Sequence, residues 1–302
     1  MNIRLGAIIA LLLWPAVTVS QQFADPEFNT AVERPAYTKN LPRVLFDEAH
    51  NNFHTATGRY KPFADLIIND GYRVVVNRKP FNEKSLETFK ILVIANATGA
   101  EEMDDEGADQ PAFTEEECEA VNRWVRGGGS LLLIADHAPF GGAAEILAKR
   151  FGVEMSKGYT FDKEHSREVP SHLVFSRENK LLLDHPITQG RNPDERVNRI
   201  QTFTGQSLKG PAGSTNFLQL APSAIDKPAP THGEETSAAG RAQGLALKVG
   251  KGRVVIMGEA ALLSAQVVGR EKEPVGMNVP GIDNRQLALN IMHWLSGLLK
   301  ER

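Results

Sequence analysis

Six residues, Ser130-Leu-Leu-Leu-Ile-Ala135, follow three consecutive glycines at 127–129 and run straight into Asp136. A run with no polar position at its centre cannot alternate between core and solvent, so it reads as a strand buried on both faces. Such strands need helices on both sides of the sheet, and the flanking sequence supplies them. Thr114-Glu-Glu-Glu117 is a capping box that opens a helix to Arg126, and Gly142 to Phe151 forms another, closed by Gly152. Upstream, Arg43–Asp47, Tyr72–Val76 and Ile91–Ala95 read as strands, with Pro62–Asn69 and Glu83–Phe89 as helices between them. The alternation predicts an α/β fold with a doubly wound, mostly parallel sheet.

Beyond this block the pattern loosens. Residues 153–241 are irregular and rich in Gly and Pro, with weak strand signals at Ser171–Phe175 and Phe217–Ala221. They are expected to form an insertion layered on the sheet's edge within a single domain spanning 43–302. Gly244–Val249 and Arg253–Met257, joined by Gly250-Lys251-Gly252, read as a hairpin. Asp283 is expected to cap a last helix with Leu287, Ala288, Ile291, Leu295 and Leu298 on its apolar face, which leaves His293 on the solvated side.

The N-terminal end has a different character. Arg4 precedes an apolar run from Leu5 to Val17, and Thr18-Val19-Ser20 offers small residues ahead of Gln21. This is the pattern of a secretory signal peptide over residues 1–20, too short to span a bilayer, which needs about 20 apolar residues. The expected product is periplasmic or extracellular and has no membrane span once the leader is cleaved. Residues 21–42, with Pro26, Pro35 and Pro42, read as an extended arm leading into the domain.

Composition narrows the chemistry. The single cysteine excludes an internal disulfide and any Cys-rich zinc module. With 34 Lys and Arg against 37 Asp and Glu, the chain carries −3 and shows no basic stripe, so nucleic acid is not an expected partner and a small-molecule ligand or substrate is. There is no Gly-x-Ser-x-Gly elbow, and Asp47-Glu-Ala-His50 lacks the phosphate-cradling loop that would make it a nucleotide-binding motif. Cys118 sits on the stripe with Val121 and Val125 and reads as a small core residue.

In an open parallel sheet, ligands bind beyond the carboxyl ends of the strands. Those ends here are Asp47 to His54, Asn96, Asp136-His137 and Gly258-Glu259. Asp47, His50, Asp136, His137 and Glu259 are therefore the candidate catalytic residues, with a histidine as general base oriented by a carboxylate. A second reading gives His50, His54 and Asp136 to a divalent metal such as zinc or manganese, whose mixed nitrogen and oxygen chemistry they suit, although the spacing matches no zinc signature. His165, His172, His185 and His232 lie in the irregular region, and the sequence does not choose among them; His185-Pro-Ile-Thr188 reads as a strand-entry turn.

Five stretches carry a resemblance: Val44-Leu-Phe-Asp-Glu-Ala-His50, Arg126 to His137 running into Gly141–Gly152, His185-Pro-Ile-Thr188, Gly252-Arg-Val-Val-Ile-Met-Gly-Glu259, and Asn290–Leu295. Over roughly residues 43–300 their order resembles the class I glutamine amidotransferase-like superfamily, and within it secreted proteins with a DUF4350-type domain. The resemblance implies a flavodoxin-like arrangement of the sheet. It also implies a nucleophilic cysteine after the fourth strand, where this chain has Asp136-His137, and a His-x-Glu pair later, of which only Glu259 is present. A thiol-dependent amidase cannot work without its thiolate, so glutaminase activity is not expected.

Two functions remain. One is an exported hydrolase-like enzyme for a small polar or sugar-like substrate, metal-assisted or metal-free. The other is a non-catalytic ligand-binding or interaction module that kept the crevice and lost the nucleophile.

Overall fold

The computed structural model describes residues 22–229 and 233–300. The leader over 1–20 and His232 lie outside them. Strands β1 (Arg43–Asp47), β2 (Arg73–Asn77), β3 (Ile91–Ala95) and β4 (Ser130–Ile134) alternate with helices α1 (Lys61–Asn69), α2 (Glu115–Gly127) and α3 (Phe140–Lys149). After the irregular region come β5 (Ala242–Val249), β6 (Gly252–Met257) and α4 (Asn284–Ser296). The strands lie in the order β2-β1-β3-β4-β6-β5, with β2, β1, β3, β4 and β6 mutually parallel and β5 antiparallel to β6. Leu208–Lys209 and Glu154–Met155 extend this path, and Thr215–Gln219 also pairs with β5, giving a nine-stranded, mostly parallel sheet in a mixed α/β fold. Among the described residues no helix is long and apolar enough to cross a membrane.

Side chains alternate across this sheet as strand geometry requires. Val44, Phe46, Leu132, Ile134 and Val255 join Phe63 and Leu66 of α1 and Leu287, Ile291 and Leu295 of α4 in one apolar cluster. Leu45, Leu131, Leu133, Val254 and Ile256 join Val121 and Val125 of α2 and Leu147 of α3 in the other. The capping box forms as expected: Glu117 N–H donates to Thr114 Oγ1 (3.2 Å) and Thr114 N–H to Glu117 Oε2 (3.0 Å). The triple glycine has a physical reason as well. Gly128 ends α2 at φ +124°, and a Cβ on Gly129 would stand 2.2 Å from the Trp124 ring.

The insertion is built into the sheet. It supplies three of the nine strands, and its Phe175, Leu182 and Ile200 belong to the same apolar cluster as α1 and α4. Two smaller sheets lie within it, one of them joining Val174–Ser176 to Arg199–Gln201. The arm is anchored too: Gln22–Ala24 pairs with Ala265–Val268, which pairs in turn with Glu273–Gly276.

Two readings of the last helix need correction. His293 is 1% exposed, and its Nε2 lies 2.7 Å from Asp70 Oδ2, because the end of α1 covers the face that one-sided amphipathicity assigns to water. Asp283 does not cap the helix with its side chain. Its Oδ2 accepts from the backbone N–H groups of Asn198 (2.7 Å) and Arg199 (3.0 Å) and ties the insertion down.

Because β4 is buried on both faces, Leu132→Ala and Leu133→Ala should each destabilise by about 2–5 kcal/mol in urea unfolding, one through each cluster. Leu41→Ala, at a position 45% exposed, should change stability by less than about 0.5 kcal/mol. Equal effects at all three positions would contradict the two-faced core.

Candidate functional site

The carboxyl ends of β3, β4 and β6 and the loop after β1 converge on a cavity of about 450 Å³. Asn96, Asp136, His137 and Glu259 line it from the strand ends, and Phe53 and His54 from the loop. Phe140, at the start of α3, and His172 and Phe203 from the insertion complete the wall. A larger recess of about 640 Å³, bounded by Arg126, Lys248 and Gly250, opens at the opposite ends of the strands. The smaller cavity holds the carboxylates and imidazoles, and it lies where the topology of an open parallel sheet places ligands.

Asp136 and Glu259 are both buried. Burial pushes the Glu259 carboxyl well above its ordinary range, and the neighbouring Asp136 charge pushes it further. Against this, Glu259 Oε1 accepts from Ala261 N–H (2.7 Å) and Oε2 from Leu262 N–H (2.8 Å). Asp136 is raised as well, by burial, with His137 and nearby N–H groups pulling the other way. Ionisation of Glu259 is therefore opposed both by burial and by the charge of Asp136.

Asp136 and His137 do not form a side-chain dyad. His137 donates its backbone N–H to Asp136 Oδ1 (2.8 Å), while its ring turns away, Nδ1 lying 2.7 Å from Ala138 O and the ring stacking on Tyr159 at 4.7 Å. With Nδ1 as the donor to that carbonyl, Nε2 is the ring's remaining hydrogen-bonding atom.

The loop that follows β1 is not helical, so His50 and His54 do not share a helix face. His50 turns into the protein. Its Nδ1 donates to Asp47 Oδ2 (2.8 Å) and its Nε2 to Glu117 Oε1 (2.9 Å), between the rings of Phe81 and Phe113. Burial disfavours the imidazolium, but the two carboxylates outweigh it and raise its pKa. Both nitrogens being engaged, His50 has no lone pair for a metal or a substrate proton, and neither it nor Asp47 lines the cavity. Glu117 was legible in the sequence only as the closing residue of a capping box. It also accepts from Phe81 N–H (2.9 Å), and it is the partner that immobilises His50.

His54 is the opposite case. Burial, then the charge of Arg59, pushes it down to about 3, so its ring is neutral beside the cavity, and its Nδ1 has no hydrogen-bond partner. Asn96 presents a second unmatched group: Oδ1 accepts from Asp136 N–H (3.0 Å), and Nδ2 is buried without a partner. Among the described residues no three His, Cys, Asp or Glu side chains are grouped to hold a metal ion, so His50, His54 and Asp136 are not assembled as ligands.

Of the insertion's described histidines, His172 reaches the cavity. His165 is bound through Nδ1 to Asp162 (2.9 Å). His185 enters a short helix, not a strand: its Nδ1 accepts from Ile187 N–H (3.2 Å) at the start of Pro186–Gln189. Cys118 is buried in α2, its thiol pushed up to about 12 by burial and by Glu117. Phe53, Phe140 and Phe203 carry no sequence signal of their own, because a phenylalanine bordering a cavity and one in the core look alike in sequence.

A scan against protein-family models returns no match, and no curated protein is similar in sequence. Solved structures are similar in fold. The mmIFT52 N-terminal domain superposes with a TM-score of 0.60 at 13% identity, over 84% of this chain and 97% of that one. A Bacteroides uniformis protein described as ThuA-like gives 0.47 at 12% identity over 90% and 95%, and the cytoplasmic protein STM1381 from Salmonella typhimurium LT2 gives 0.47 at 12% over 86% and 100%. The first of these shows that the mixed α/β fold with its large sheet is shared.

The two histidines of the loop after β1 should leave opposite marks on stability. His50, raised in the folded state, contributes fully below its unfolded value of 6.5, and that contribution is lost as pH rises through the folded value. The stability gap between wild type and His50→Gln should therefore narrow as pH rises above 6.5. His54, lowered to about 3, makes the folded state lose stability as pH falls from 6.5 towards 3, and His54→Phe should flatten that limb. Urea unfolding from pH 3 to 9 measures both, and parallel curves for the three proteins would refute the assignment.

Proposed function

We propose that this chain is an exported hydrolase-like enzyme acting on a small polar or sugar-like substrate, on a doubly wound, class I amidotransferase-like framework of the DUF4350 type, without that superfamily's thiol. The framework is supported by the strand order, by helices packed on both faces of the sheet, and by five successive parallel strands, of which β3, β4 and β6 end at the cavity. Export rests on residues 1–20 of the sequence.

The observation that carries the enzymatic reading is the Asp136–Glu259 pair: two adjacent buried carboxyls, both raised, lining a cavity. With one member protonated and the other ionised, they meet the requirement of a hydrolysis run by general acid and general base. The protonated member gives its proton to the leaving oxygen as the bond to it breaks. The ionised member takes a proton from the attacking water, whose oxygen forms the new bond. His137, through Nε2, and Asn96, with an unmatched N–H, orient hydroxyl groups of the substrate. The phenyl rings of Phe53, Phe140 and Phe203 exclude water around the reacting bond. No metal is required for this sequence of steps.

One observation favours the other reading, a ligand-binding module. Both oxygens of Glu259 accept backbone N–H bonds at the turn beginning with Ala261, which is employment enough for a structural carboxylate.

A panel of aryl glycosides and esters, assayed from pH 4 to 9, decides between them. Turnover with a bell-shaped pH profile is expected, with Asp136→Asn and Glu259→Gln each lowering kcat/KM by about 10²–10⁴. Asp136→Asn should leave the melting temperature unchanged or higher, since it removes a buried charge. Ligand-dependent stabilisation with no turnover of any substrate would establish the binding module instead.

A further inference from the structure

The cavity continues outward into a second recess of about 500 Å³, and the two share His172, Phe203, Glu273 and Val275 as walls. Sharing those walls, they are taken together as one trench, with the carboxylate pair lining the inner of the two recesses. We infer that the ligand of this trench is a neutral oligosaccharide of two or more units, the first at Asp136 and Glu259 and the next on the shelf made by His172 and Phe203. The inference rests on the sugar-like substrate proposed above and extends it to a chain.

Charge excludes the anionic alternatives. Among the described residues, Asp136, Glu259 and Glu273 line the inner cavity and no Lys or Arg does. A phosphate or carboxylate would face these three carboxyls, while Arg59, over the Phe53 ring at 4.0 Å, is not part of the lining. Arg167, in the outer recess, donates to Gln201 Oε1 (3.2 Å). The backbone disfavours a peptide. Glu273–Gly276 is the edge strand that runs along the trench, and Pro274 deprives it of an N–H where an added strand would need a continuous row of donors and acceptors. A hydroxyl-rich, uncharged chain fits what is left. Phe203, with His172 edge-on at 5.5 Å, gives an apolar platform of the kind that takes the C–H face of a sugar ring. Gln201, Glu168 and Glu273 stand around it as hydrogen-bonding groups.

Titration calorimetry on the full chain tests this with glucose, N-acetylglucosamine and mannose, each as the monomer and as its β-1,4-linked tetramer, and with maltotetraose. At least one tetramer should bind about tenfold or more tighter than its own monomer, the gain of about 1.4 kcal/mol that a second occupied unit supplies. Arg167→Ala and Val169→Asp, both at exposed positions confined to the outer recess, should remove that length dependence and leave monomer binding within about twofold. Tetramers that bind no better than monomers, or a panel in which nothing binds, would overturn the inference. Length-dependent binding without turnover would keep the trench and overturn the enzymatic reading. Turnover of simple glycosides with no preference for longer ones would keep the enzyme and overturn the chain-like ligand.

Discussion

Burial of β3 and β4 on both faces governs where this protein can keep polar groups. Neither strand has a water-facing side, and every residue from Ile91 to Ala95 and from Ser130 to Ile134 is buried. An ionisable side chain within either would have to be neutralised or paired inside the core. The first positions at which polarity becomes affordable are the residues just past the ladders, and there the chain places Asn96, Asp136 and His137. The same constraint sets the neighbouring strand: β6 is apolar from Val254 through Met257 and reaches Glu259 only after Gly258. The cluster of titratable groups thus follows from a sheet that expels them towards one end.

Proximity of the two acids is then maintained by the insertion. Gln206, fully buried, donates through Nε2 to Ala135 O and Asp136 O (2.9 Å each) and accepts at Oε1 from Lys157 N–H (2.8 Å). Its own backbone N–H donates to Gly258 O (2.7 Å), next to Glu259. One residue therefore joins the strand end that carries Asp136 to the strand end that carries Glu259. Gly205 lets the backbones come this close: a Cβ there would lie 2.4 Å from Gly258 O and 2.7 Å from Glu259 Cβ. From across the site, Tyr60 donates its hydroxyl to Ala260 O (2.6 Å) and fixes the turn behind Glu259. A buried acid pair repels itself, and these hydrogen bonds keep the repulsion from moving the strand ends apart.

The sheet was legible because it is written in local pattern: apolar runs, a capping box and glycines at turns each act over a few residues. Asp136, His137 and Glu259 were legible for the same reason, since a strand end can be found from the strand. His50 shows where this stops. By position it belongs to the site, yet its rotamer is set by Glu117, 67 residues away, and no local pattern says that a capping-box glutamate has a free oxygen to offer. His293 fails in the same manner. A periodic stripe identifies the most apolar face of a helix and is silent on whether the polar face is covered by another element, here Asp70 at the end of α1. His172 and Phe203 are set by how an irregular segment folds back over the sheet, which is tertiary information throughout.

The two histidines of the loop after β1 show how that loop is held independently of the cavity beside it. The imidazolium of His50 fastens that loop to β1 through Asp47 and to α2 through Glu117, so the loop's geometry does not depend on any group that reacts. The neutral ring of His54 can then sit against the cavity without a partner of its own. On the other side of the crevice Asp136, two residues past β4, is an acid held by backbone N–H groups, and the chain's one thiol is in α2 with its pKa raised. A strand-to-helix junction suited to exposing a nucleophile suits a carboxylate as well, because both need a group lifted clear of the ladder and surrounded by N–H donors. The sheet, its helices and its topology fix where that group stands, and they do so without reference to the chemistry it performs.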